Sequence, residues 1–215
     1  MNISDIKELG VEVPVSRMDC IKLIFSRQRE LHEKYRPIEE KNGIGLSLIK
    51  GQPFLYDDPK CQYLVKDFAW RVTEELTEAV EAELECNMIH TIEEVIDALH
   101  FYTELLIICG YTADNYLIFC DLNKKSIEGL SEITDWMALM SPAYYLGLAC
   151  NLLKNKPWKN THLVTDTQRF RRYLMMGYHC IFKALDTLDV HSIQEVTAFY
   201  LKKSLVNKFR MESNY

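Results

Sequence analysis

Apolar side chains along this chain recur at three- and four-residue steps between short polar stretches, and no segment keeps the two-residue alternation of a strand. The pattern predicts helices throughout. Ser16 can cap a first helix that carries Ile21, Ile24, Phe25, Gln28, Leu31 and His32 at helical spacing and ends near Tyr35, ahead of Arg36-Pro37. A long loop is expected from Pro37 to Pro59, where Gly43, Gly45, Gly51 and Pro53 cluster. Two helices follow, from about Lys60 to Glu85 and from Thr91 to Cys109, with Gly110 closing the second. Further helices are expected from Ala113 to Ile127, from Glu132 to about Leu153 with a break or kink at Ser141-Pro142, and from Thr165 or Asp166 to about Leu188. Ser192 and Glu195 make a capping-box pair that opens the last helix, to about Arg210. With no repeat, low-complexity tract or linker, residues 1–215 form one all-α domain, a single helical bundle.

The second and third of these helices carry the chemistry. Glu75 and Glu78 are three residues apart, as are Glu94 and Asp97, so each pair presents two carboxylates on one helical face. Glu75 aligns with Phe68, Val72 and Ala79, and Asp97 with Phe101, Leu105 and Ile108, which puts both pairs on apolar stripes. If the helices pack antiparallel across the short link near Asn87 to Thr91, the four acids converge. Inward carboxylates are costly unless something positive neutralises them. With no Lys or Arg evident on those faces, a metal ion is the expected partner, and an all-oxygen ligand set favours Mg²⁺. The plainer alternative is a capping box from Thr91 to Glu94, with Glu74, Glu81, Glu83 and Glu85 as a solvated face.

Composition narrows the class. The chain has 48% hydrophobic and 26% charged residues, as a globular protein does. Its net charge of −6 argues against a surface that coats nucleic acid. Seven scattered cysteines without a C-x-x-C pair indicate neither a disulfide framework nor a zinc site, and fit small buried residues in a reducing compartment. No apolar run approaches the ~20 residues of a membrane span, so a soluble, cytoplasmic protein with no membrane partner is expected.

Near the C-terminus, Lys203, Asn207 and Arg210 share one helical face, a basic stripe suited to phosphate oxygens. A solvated tail is the alternative. Glu75-x-x-Glu78, a linker and Glu94-x-x-Asp97 followed by His100-Phe101 together resemble the all-α nucleoside triphosphate pyrophosphatases, the superfamily of MazG proteins and dimeric dUTPases and dCTPases. The stripe resembles the C-terminal motif of the dimeric dUTPase and dCTPase branch, Tyr-x-x-Lys-Asn-x-x-Asn-x-x-Arg-Gln-x-x-Gly-Tyr. Lys203, Asn207, Arg210 and Tyr215 match it, whereas Ser204, Met211 and Asn214 depart from it. Phe25-x-x-Gln28-x-x-Leu31-His32 is similar to that branch's Leu-Gln-x-x-Leu-Asn element, with His32 in place of the amide. The link between the acidic motifs contains no Trp, unlike the segment that helps enclose the base in the dUTPases. Trp158 in the basic loop from Lys154 to Lys159 could serve instead, a buried structural Trp being the commoner role.

The resemblance implies hydrolysis of a deoxynucleoside triphosphate, dUTP first and dCTP second, to the monophosphate and pyrophosphate. It assigns Glu75, Glu78, Glu94 and Asp97 to two or more Mg²⁺ ions, with Glu75 orienting or deprotonating the attacking water. Lys203 and Arg210 would hold the outer phosphates, with Tyr215 a further substrate residue. Gln28, His32, His100 and Asn207 would reach base or sugar, and Phe101 would wall off C2′. Gln28 could read uracil or cytosine by flipping its amide. A homodimer is implied on the same footing. A MazG-like enzyme with another nucleotide substrate remains an alternative. So does a di-iron carboxylate bundle, although Asp97-x-x-His100 supplies only one of the two motifs it needs. A non-catalytic helical interaction module would leave the inward acids unexplained.

Overall fold

The computed structural model describes residues 12–49, 52–128, 135–156, 158–160 and 162–212. Among them there is no strand. The helices are α1 (Arg17–Asn42), a 3₁₀ turn (Gly45–Ile49), α2 (Pro59–Leu84), α3 (Met88–Ile108), α4 (Ala113–Leu122), α5 (Lys124–Glu128), α6 (Asp135–Leu152), α7 (Thr167–Thr187) and α8 (Ile193–Glu212). The expected all-α bundle is therefore the observed one.

Two helical hairpins form its body. α2 packs along α3 and α6 along α7, while α2 also touches α6 and α3 touches α7. α1 and α8 lie against each other and both reach α3. α3 thus has neighbours on four sides, which is why its sequence is apolar nearly all round. A continuous core runs through Phe68, Val72, Leu76, Leu99, Tyr102, Leu105, Phe170, Leu174, Tyr178 and Tyr200. No single described helix is long and apolar enough to cross a membrane.

Caps set most boundaries. Ser16 accepts from the Asp19 amide, Asp58 from those of Lys60 and Cys61 with Pro59 at the first helical position, and Asp166 from that of Arg169. Ser192 and Glu195 make the expected reciprocal pair, at 2.9 and 3.1 Å. Gly110, at φ 80°, ends α3.

Four expected boundaries shift. α1 runs through Pro37 to Asn42 instead of ending near Tyr35, and Gly43 closes it at φ 67°. Arg36 braces that segment through ion pairs to Glu33 and Glu40, so the expected loop after Pro37 is shorter and includes a 3₁₀ turn. The expected helix from Ala113 to Ile127 divides into α4 and α5 at Asn123. α6 continues unbroken through Pro142. A proline there removes the amide that would bond the Ala138 carbonyl, and the Ser141 hydroxyl donates to that carbonyl instead, at 2.9 Å. The expected start of α6 at Glu132 lies outside the described residues.

The fourth shift matters most. α3 starts at Met88, capped by Asn87, whose side chain accepts from the His90 amide at 3.3 Å. Thr91 is not a cap; it is buried and its hydroxyl donates to the Asn87 carbonyl. The capping-box alternative for Thr91 and Glu94 therefore fails, and Glu94 is free to face α2.

Candidate metal and phosphate site

α2 and α3 are joined by three residues only, Glu85 to Asn87, with Cys86 at φ 57° turning the chain. The tight link forces them antiparallel and brings their acidic faces together. Oxygens of Glu75, Glu78 and Glu94 all lie within 4.8 Å of one another. Glu94 is 8% exposed, Glu75 half-buried and Glu78 exposed, so the cluster grades from core to solvent. His90 extends toward it, its Nδ1 3.1 Å from Glu94.

Proton affinities report the crowding. Burial, a hydrogen bond shared with Glu94, and the charges of Asp97, Glu94 and Glu78 push the Glu75 carboxyl up to about 8. Asp97 rises to about 6, chiefly through burial, against the pull of Lys203 and Arg210. Glu75 and Asp97 thus hold protons more tightly than ordinary carboxyls, and the oxygen-only cluster of Glu75, Glu78 and Glu94 could hold a hard divalent cation.

Asp97 stands beside this trio and is paired with the ammonium of Lys203 on α8. The expectation that no cation faces these acids is corrected here. The counter-charge comes from a helix more than a hundred residues away in sequence, which the periodicity of α3 does not reveal. Arg71, one turn before Glu75 on α2, is a second cation; it pairs with Asp67 at 2.8 Å and lies over the Phe68 ring at 4.3 Å. Lys203, Arg210, Glu93, Ile96, Phe199 and Val206 line a cleft of about 240 Å³ between α3 and α8. Asn207 is half-buried, one turn on from Lys203. Tyr215 lies outside the described residues. Phe101 is half-buried against the core, with the Arg71 guanidinium 6.0 Å from its ring centre.

Gln28, His32 and His100 do come together, but around a residue that the acidic motifs do not include. Glu104, 6% exposed on α3, accepts from Gln28 Nε2 at 3.0 Å and from His32 Nδ1 at 2.7 Å. Gln28 Oε1 in turn accepts from His100 Nδ1 at 2.9 Å and from the Tyr200 hydroxyl. A carboxylate only accepts, so the Gln28 amide group must face Glu104. The expected amide flip of Gln28 is opposed here, because it would set the amide oxygen against the Glu104 carboxylate. Glu104 follows His100 by one turn and shares its face, a spacing that could have disclosed it.

Burial works against a charged His32, yet the hydrogen bond and charge of Glu104, with Glu39 and Glu33, outweigh it and hold His32 above its ordinary value. His100 is the opposite case. It is 4% exposed, stacked on Tyr200 at 3.8 Å, and burial takes it down to about 3. Its Nδ1 carries the proton given to Gln28, so Nε2 presents a bare lone pair, buried and with no hydrogen-bond partner among the described residues. An unpaired buried acceptor one turn from Asp97 is a place for a ligand donor.

No protein-family model, curated protein or solved structure matches the chain.

Proposed function

We propose that the protein hydrolyses a deoxynucleoside triphosphate to the monophosphate and pyrophosphate with Mg²⁺. The observation that carries this reading is the convergence of Glu75, Glu78 and Glu94 within 4.8 Å beside Asp97 and its Lys203 partner. The resemblance of these motifs to the all-α pyrophosphatases supports it. A helical interaction module has no use for such a cluster.

Glu75, Glu78, Glu94 and Asp97 would hold two or more Mg²⁺ ions, which when bound neutralise triphosphate charge and make a water more acidic. Water adds across the α–β phosphoanhydride, and that bond breaks to leave pyrophosphate. Glu75 orients the water and offers the carboxylate oxygen that accepts its proton. Lys203 and Arg210, lining the neighbouring cleft, hold phosphate oxygens. Lys203 thereby exchanges the Asp97 carboxylate for substrate. His100 Nε2 accepts from the nucleoside, with its ring fixed by Gln28 and Tyr200. His32 acts at one remove, through Glu104. Asn207 completes the contacts on the C-terminal side, and Tyr215 is a further substrate residue by the resemblance alone. Phe101 disfavours a 2′-hydroxyl by leaving it unpaired. A cytoplasmic homodimer is part of the same proposal.

The test is pyrophosphate release from dUTP, dCTP, dTTP, dATP, dGTP and UTP, with Mg²⁺ and with EDTA. The expected order is dUTP, then dCTP, with UTP lower by roughly 10²-fold. Equal use of UTP and dUTP, or a purine preference, rejects the substrate assignment. Absence of Mg²⁺-dependent release from every nucleotide rejects the hydrolase.

A further inference from the structure

A second charged feature lies elsewhere on the molecule. Lys66 and Glu75 are nine positions apart on α2, which is half a turn round the helix and about 13 Å along it, so they face opposite ways. On the Lys66 side, Gly147, Cys150, Asn151 and Leu153 of the α6 end meet the loop that follows, around a cavity of about 630 Å³. Lys66, Lys154, Lys156 and Lys159 line it together with Trp158, and no carboxylate does so among the described residues. Four ammonium groups without an acid stand out in a chain of net charge −6.

The loop is held in shape. Asn155, 1% exposed, receives the Leu163 amide at 2.7 Å and gives its own NH₂ to the carbonyls of Asp57 and Leu163, while its backbone amide meets Gln62 at 2.8 Å. Lys66 donates to the Leu153 carbonyl at 2.8 Å. Burial, with Lys156 and Lys154 close by, keeps Lys66 below its ordinary proton affinity, as expected where cations are gathered without a counter-ion. Trp158 is 72% exposed, not buried in the commoner manner of a Trp, and the Lys156 ammonium lies 5.3 Å from its ring centre. A large indole stays exposed beside a lysine-lined hollow of small-ligand size.

We propose that this cavity binds a nucleotide, the phosphates among Lys66, Lys154, Lys156 and Lys159 and the base stacked on Trp158. Phosphate needs the ammonium groups, and the aromatic plane supplies a stacking surface that tolerates any base. The concave shape favours this ligand over a lipid surface, which calls for a protruding apolar face. The site stands apart from the acidic cluster and needs no metal.

Calorimetric titration of the full chain with dTTP in EDTA tests it, because chelation removes any contribution of Mg²⁺ at the acidic cluster. Binding is expected, weakened at least 10-fold in the double variant K154E/K159E and roughly 5- to 150-fold in Trp158→Ala. All three residues are exposed, so folding should persist, as thermal melts would confirm. Glu75→Gln should bind dTTP in EDTA as the parent does, and K154E/K159E should keep any Mg²⁺-dependent hydrolysis, which separates this proposal from the hydrolase. Competition by dT₁₂ would show that a strand can supply the same phosphate and base; its failure would restrict the site to free nucleotides. No dTTP binding, inorganic tripolyphosphate as tight as dTTP, unchanged binding in either variant, or partition onto phosphatidylserine vesicles in place of dTTP binding would overturn the proposal.

Discussion

Replacing Glu75 by Gln should stabilise the metal-free protein at alkaline pH. The Glu75 carboxyl is raised to about 8 in the fold against an ordinary value near 4.5. A group whose folded-state affinity is raised binds its proton more tightly when folded. Its protonated form therefore supports the fold at low pH, and that support is lost as pH rises between about 4.5 and 8. A tenfold difference in proton affinity is worth about 1.4 kcal/mol, but Glu75 is only half-buried, and solvent screening reduces the penalty to about 1–2 kcal/mol. Glu75→Gln removes the penalty. In EDTA at pH 8.5 its melting temperature should exceed the parent's by about 2–8 °C, given about 2–4 °C per kcal/mol for a domain of this size. At pH 5 the two should coincide. With Mg²⁺ the order should narrow or reverse at pH 8.5, because a ligand that binds only the folded parent stabilises it by mass action. Thermal melts over a pH series, with EDTA and with Mg²⁺, provide the measurement. Coincident parent and variant curves at pH 8.5 in EDTA would refute the picture of a crowded, cation-seeking cluster.

Lys203→Ala and Arg210→Ala should each lower kcat/KM for the preferred triphosphate by roughly 10- to 150-fold, the worth of a charge-assisted phosphate contact; parent-like values would make the stripe a solvated face. Glu104→Ala should leave Gln28 and His32 donors unpaired and cost about 3 kcal/mol in urea unfolding, with the His32 titration seen by NMR moving downward; an unmoved His32 would contradict the shared bond. Ser141→Ala should destabilise by about 1–2 kcal/mol, since Pro142 offers the Ala138 carbonyl no replacement donor; a neutral result would mean the hydroxyl bond is dispensable.

Periodicity and end chemistry are local properties, and the sequence alone was enough to determine the features that depend on them. Phe68, Val72 and Ala79 mark the buried face of α2, and Glu75 rides on it because side chains three and four positions apart share a face. Ser16, Ser192 with Glu195, and Gly110 act within one turn, so their roles were legible too. Helix extent at the prolines was not, since the Ser141 hydroxyl and the Arg36 ion pairs offset losses that propensity counts as breaks. Nor was the helix start at Asn87, where a buried Thr91 imitated a cap. Tertiary packing alone decided which charge meets which. Lys203 reaches Asp97 because α8 lies along α3, and Glu104 gathers Gln28 and His32 because α1 does the same. Such contacts join segments far apart in sequence, so their partners are chosen by how helices dock and not by any spacing along the chain.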